Sequence, residues 1–203
     1  MKFTYRTTIV AVATLIVTVT TMTNVGAFAA TPRLSSELLT ASQMPKGWSA
    51  DSLSGSVSAG CLTNIVGLTS VLDARGVKQT SSAEVLFVDH SAVPAVSEML
   101  ATYSSPVTAY ARIVAELSSC KHVSGQAFGM TVTATMSRAN FTHYADASQG
   151  FAATSLVEGE RFNEDLVVVR KGDVVAGVIE GNVPPVNVRQ FEGFVVKALA
   201  KVR

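Results

Sequence analysis

Apolar and polar residues alternate most regularly in "MTVTATMS", Met130 to Ser137. Val132, Ala134 and Met136 fall on one side, Thr131, Thr133, Thr135 and Ser137 on the other. That period of two predicts a strand with one covered face. "SAEVLFVDH" predicts another strand over Ala83 to Asp89, apolar on both sides at Val85 to Val88, as in a strand sandwiched between layers. A third is expected from Ala152 to Glu158. "DLVVVRKGDVVAGVIEG" reads as a hairpin, two β-branched runs turning around Lys171-Gly172.

A period near 3.6 governs other stretches. Val93, Val96, Met99, Leu100 and Tyr103 recur at helical spacing, with Pro94 suited to a first turn. Ser105-Pro106 restarts the pattern as N-cap and first helical residue, with Val107, Tyr110, Val114 and Leu117 on one stripe. The last segment predicts an amphipathic helix. Asn187 is its cap, Gln190 sits three residues on, and Val188, Phe191, Val195, Ala198, Leu199 and Val202 form the buried stripe.

Near the N-terminus, Ser35 or Ser36 can cap a short helix through Met44, which Pro45 ends. Met44-Pro45-Lys46-Gly47 suits a type I turn that folds Trp48 back over the helix as a packing anchor. Residues 49–58 have loop composition, and Cys61 to Leu72 reads as a short helix. Short connections between the late strands require antiparallel pairing. The expected fold is therefore a single α+β domain, a mainly antiparallel sheet packed with flanking helices.

The extreme N-terminus reads as a targeting segment. Lys2 and Arg6 precede the apolar run "TTIVAVATLIVTV", and "AFA" ending at Ala29 offers small residues for cleavage. Residues 1–29 are thus expected to be a signal peptide and 30–203 the mature domain, with no membrane span after cleavage. The first cysteine is Cys61, too distant for a lipobox, so the expected location is secreted or cell-envelope. Removing 29 of 203 residues leaves 174, the size of one domain.

Two of the 16 basic residues leave with the signal segment, so 14 face 15 acidic ones. A net charge near −1 without a basic run excludes nucleic acid as a partner. Cys61 and Cys120 both lie in the exported part, where two cysteines pair as a disulfide. Closing that loop contributes about 4 kcal/mol in the chain-entropy model. Neither cysteine belongs to a CxxC or has the histidine that a metal site needs.

Catalytic patterns are sparse. "GSVSAG" at 55–60 misses the spacing of a nucleophile elbow by one residue. His90, His122 and His143 stand in no recognised motif. No HExxH, EF-hand loop, GxGxxG or phosphate-binding loop is present, so no metal or cofactor is expected. Glu158, Glu160, Glu164 and Asp165, interrupted by Arg161, read as a charged turn between strands. Asn140-Phe141-Thr142 matches a glycosylation sequon, relevant only in a eukaryotic secretory pathway. The polar loop from Arg138 to Gly150 is where ligand contacts can gather, with Arg138, Asn140, His143 and Tyr144 as candidates.

"LLTASQMPKGW", "ELSSC", "VVVRKGDVVAGV" and "QFEGFVVKALAKV" together resemble, in order, an actinobacterial family of exported domains, that of the PknH-like extracellular sensor domain. The resemblance spans about Leu34 to Val202. It implies an α+β domain with a cleft for an unidentified ligand, no established catalysis, and a Cys61–Cys120 pair holding helices to the rest. This sequence has two cysteines where the kinase sensor has two disulfides, and it has no kinase or transmembrane segment and no lipobox. The expected function is a secreted, non-enzymatic, sensor-like domain binding a small molecule or cell-envelope component. The alternatives are an exported hydrolase using His143, or a carrier of an apolar ligand.

Overall fold

The structure is a computed structural model that describes residues 32–51, 57–59, 76–89, 94–127 and 130–203. The expected signal segment, the Cys61–Leu72 helix, Cys61 and His90 lie outside the described residues. Nine strands form one antiparallel sheet: β1 (Trp48–Asp51), β2 (Val57–Ala59), β3 (Gln79–Asp89), β4 (Ala95–Tyr103), β5 (His122–Ala127), β6 (Met130–Ala139), β7 (Ala147–Val157), β8 (Glu160–Lys171) and β9 (Val174–Asn182). Their spatial order is β1-β3-β4-β9-β8-β7-β6-β5-β2. Among the described residues three α-helices accompany them: α1 (Pro32–Glu37), α2 (Pro106–Ser119) and α3 (Val188–Lys201). The α+β class expected from the sequence is the observed one.

From β4 the chain crosses through α2 to β5, then returns as a meander through β6, β7 and β8 to β9, which pairs with β4. Helix α2 covers one face, over Phe151, Phe162, Leu166, Val168 and Ile179. Helices α1 and α3 cover the other, over Phe87, Val96, Leu100, Val167 and Val178. Trp48 belongs to this second core, its ring 5.8 Å from that of Phe194, so it is the packing anchor expected from its position.

Several elements differ from their expectation. Residues 95–103 are strand β4, not a helix, and Val93 is outside the described residues. Ala95 to Glu98, Leu100 and Ala101 are all buried, because β4 is central and covered on both faces. Such a strand carries no period of two, and its apolar spacing imitates a helix. The N-terminal helix starts at Pro32 and stops at Glu37, with a separate 3-10 turn over Ala41–Gln43. The following turn runs one residue later than expected: Trp48 N–H donates to Pro45 O at 3.3 Å, and Gly47, third in the turn, has φ +98°. A positive φ there is type II geometry, which glycine adopts without strain. Residues 49–58 are not all loop, since β1 and β2 take up parts of them.

The stripe on α2 is also displaced. Val107 is 60% exposed, and Ala109, Tyr110, Ile113, Val114 and Leu117 face the core instead. In α3 the expected cap holds, with Asn187 Oδ1 accepting Gln190 N–H, but Val188 is exposed and Phe194 joins the buried stripe. Strand β6 alternates as expected, its threonines exposed. The β8–β9 hairpin turns on Gly172-Asp173 with Gly172 at φ +60°.

Trp48→Ala is expected to lower the unfolding free energy by about 3 kcal/mol, the cost of an unfilled aromatic cavity. Urea titration followed by far-ultraviolet circular dichroism measures this; a loss below about 1 kcal/mol contradicts the anchoring role.

Candidate functional site

The covering helices set the site by what they leave open. Helices α1 and α3 lie over β3, β8 and β9, and among the described residues no helix lies over the same face of β5, β6 and β7. Cross-strand register places His122, Thr135, Thr154, Asn163 and Asn182 in one row across that face. Thr133, Leu156 and Arg161 form the next row. Of these, His122, Thr133, Thr135, Thr154, Leu156 and Arg161, with Val123 and Ala134, line a hollow of about 310 Å³. Three threonine hydroxyls, an imidazole and a guanidinium suit a small polar ligand.

At the inner end of this face stand two carboxylates on neighbouring strands. Asp165 on β8 is the direct partner of Glu180 on β9. Glu180 is 1% exposed and its Oε2 has no hydrogen-bond partner, whereas Asp165 is half-buried. Burial pushes the Glu180 carboxyl up to about 7, with the Asp165 charge adding to it, and burial raises Asp165 to about 6.

Glu98 shares the face but does a different job. Its Oε2 accepts Leu39 N–H at 2.5 Å, while Lys201 Nζ donates to Leu38 O. The two side chains thereby satisfy the backbone just past the end of α1. Burial still raises Glu98 to about 7 against the pull of Leu39 N–H and Lys201. Glu164 points to the opposite face, where Ser155 Oγ donates to its Oε1 and burial raises it to about 8. The acidic run read as a charged turn is therefore divided. Glu158 is exposed in the β7–β8 turn and accepts Thr131 N–H, but Glu164 and Asp165 lie inside a strand. The available signal was their place beside "LVVV", where a strand's alternation sends consecutive acids to opposite faces.

The loop candidates do not converge. The loop proper is 140–146, since Arg138 ends up in β6 and Gln149 in β7. Arg138 turns to the α2 side and donates to Ser118 Oγ at 3.0 Å. Asn140 is exposed. Tyr144 is buried in the α3 core, its hydroxyl without a partner, and burial raises its pKa. His143 Nδ1 lies 3.3 Å from Ser148 Oγ, which itself accepts Tyr144 N–H. Among the described residues no carboxylate hydrogen-bonds the His143 ring, so the arrangement folds the loop without orienting a base. Phe141 against Phe191, and Thr142 donating twice to Glu192 Oε1, fasten the loop to α3. Cys120 is buried at the end of α2, and among the described residues no cysteine is free.

Four carboxyls hold protons more tightly folded than unfolded, so the folded state binds more protons between about pH 4 and 8. Stability should then be highest near pH 5 and fall as pH rises through 6 to 8. Asp173 and Glu192 are held low by Arg33 and Thr142, and their contribution is lost only at more acid pH, outside this window. Thermal unfolding should show Tm at pH 5 above Tm at pH 8 by about 5 °C or more. A Tm that is flat or rises over this range contradicts the burial of these charges.

No protein-family model matches the chain, and no curated protein matches it in sequence. Among solved structures, its fold is similar to that of the extracellular domain of PknH from Mycobacterium tuberculosis. The TM-score is 0.60 at 16% identity, over 86% of this chain and 96% of the other. The chain therefore has the fold of a PknH-like extracellular sensor domain.

Proposed function

We propose that this protein is an exported, freestanding sensor-type domain that binds a small polar component of the cell envelope on the open half of its sheet. The observation that carries this is a hollow of about 310 Å³ with threonine hydroxyls in its wall, on a part of that face that no helix among the described residues covers. Its size is that of a small-ligand pocket. Exposed threonines on a strand whose opposite face is fully packed present fixed hydroxyls at low entropic cost, because the backbone beneath them is rigid. The fold likeness to an extracellular domain supports work outside the membrane, and no helix among the described residues is long and apolar enough to cross one.

The hydroxyls, imidazole and guanidinium in the wall favour a ligand with polar groups, while apolar surface makes up the larger share of the lining. The hydrolase alternative rests on the His143–Ser148 contact, which lacks a group to orient the base. In this reading residues 1–29 are removed on export. Cys61 pairs with Cys120 at the end of α2. The 138–146 segment serves through Arg138, Asn140, His143 and Tyr144 to shape the sheet end rather than to hold ligand.

Intact mass spectrometry of the protein purified from its own host, without reductant, tests export and pairing. The expected mass is that of residues 30–203 less two hydrogens; both thiols free would contradict the disulfide. Binding is tested by native mass spectrometry with an extract of the host envelope. A small polar species retained by the wild type should be lost, by about thirtyfold in affinity, from Thr135→Val/Thr154→Val, because two hydroxyl contacts each contribute about 1 kcal/mol. Retention unchanged in that variant refutes the hollow. His143→Ala should leave binding intact, and any ester or peptide hydrolysis that it abolished would establish the enzyme instead.

A further inference from the structure

We infer that Asp165 and Glu180, on β8 and β9 beside the open half of the face, form a cation-recognising subsite, so that the ligand carries an ammonium or guanidinium group. This rests on the hollow being the binding surface and names the class of molecule that it takes. The two acids share the face with the hollow. Asp165 is two residues from Asn163 along β8, and Asn163 is the direct partner of Thr154 in the hollow's wall. Two residues of strand span about 7 Å, within reach of a second group on one small ligand. Arg161 lies four residues from Asp165 on the same strand face, about 13 Å away, so the surface is acidic at one end and basic at the other.

Among the described residues no basic side chain is paired with either acid. The groups around them are engaged elsewhere. Glu98, diagonal to Glu180 on β4, accepts Leu39 N–H, and Lys201 on α3 is directed at Leu38 O. Asn163 Nδ2 donates to Val183 O at 2.9 Å. Glu180 Oε2 thus remains buried and unpartnered beside a like-charged neighbour. An unsatisfied buried carboxylate is costly, and a directly opposed second acid adds repulsion. A neutral ligand relieves only the first cost and an anion worsens the second. A cation entering past half-buried Asp165 relieves both.

The physical consequence is proton linkage. A cation binds the ionised pair, so binding displaces protons and strengthens as pH rises from 5 to 8.

The test uses the ¹⁵N-labelled mature protein titrated with 1,4-diaminobutane and, separately, with uncharged 1,4-butanediol. The diamine should shift the amide signals of Asp165, Glu180 and Gly181 at pH 8, and the diol should not. Affinity for the diamine should fall about tenfold or more at pH 5 and in Glu180→Gln, the loss of one charge-assisted contact. Asp165→Asn, at a half-buried position, gives the same reading should Glu180→Gln alter the fold. No diamine shift, equal shifts with the diol, or unchanged affinity in both variants overturns the inference. Shifts produced by neutral methyl glucoside at Thr133, Thr135 and Thr154, with none from the diamine, would keep the hollow as the binding surface and reject the cation alone.

Discussion

The pairing of β4 with β9 is the contact on which the rest depends. Eight residue pairs, Ala95↔Gly181 through Thr102↔Val174, join strands separated by α2 and the whole β5–β8 meander. Without that ladder the N-terminal strands and the C-terminal meander are two open sheets with unpaired edges. With it, β4 becomes central and can hold a fully buried run. The same register sets Glu180 beside Val96 and Glu98 beside Val178, bringing two acids from distant segments onto one face. A long-range pairing of this kind closes a large loop, so its formation is expected late in folding.

The helices then divide each face into covered and open parts. Lys171 Nζ donates to Leu199 O and Val202 O, holding the last turn of α3 against the β8–β9 hairpin. Arg33 bridges Glu37, Asp173 and the Arg203 carbonyl, fastening α1 to the same hairpin and to the chain end. Asp146 accepts Gly172 N–H and pairs with Arg170, so the 140–146 loop is tied there as well. These contacts gather both helices at one side of the sheet. Among the described residues no helix covers the threonine face of β6, and the hollow lies there.

The loop between β6 and β7 shows how polar residues can fasten a loop to the fold. Its residues are the kind that bind ligands, yet most are used for folding. Phe141 lies so close over Gly150 that a side-chain carbon there would stand 2.2 Å from its ring. Thr142 holds Glu192, and Tyr144 is core. Only contact information separates a loop that is fastened down from one that reaches outward.

Local periodicity determined what local physics governs. The alternation of β6, the Ser105-Pro106 start of α2, the Asn187 cap of α3 and the late hairpin were all legible, because each is decided within a few neighbouring residues. Likewise the mainly antiparallel α+β class followed from short connections and strand-like runs. The resemblance in the entry, hairpin and closing-helix motifs pointed to the same fold. What only the tertiary structure decided is which faces are covered. Strand β4 resembles a helix in spacing because both its faces are buried, and that burial comes from β3, β9 and the helices. Asp165 and Glu180, 15 positions apart in sequence, are opposed because the hairpin turns on Gly172-Asp173 rather than on Lys171-Gly172, but the burial of Glu180 comes from the packed sheet and helices. Burial and register are properties of the assembled sheet, and the candidate site is made of both.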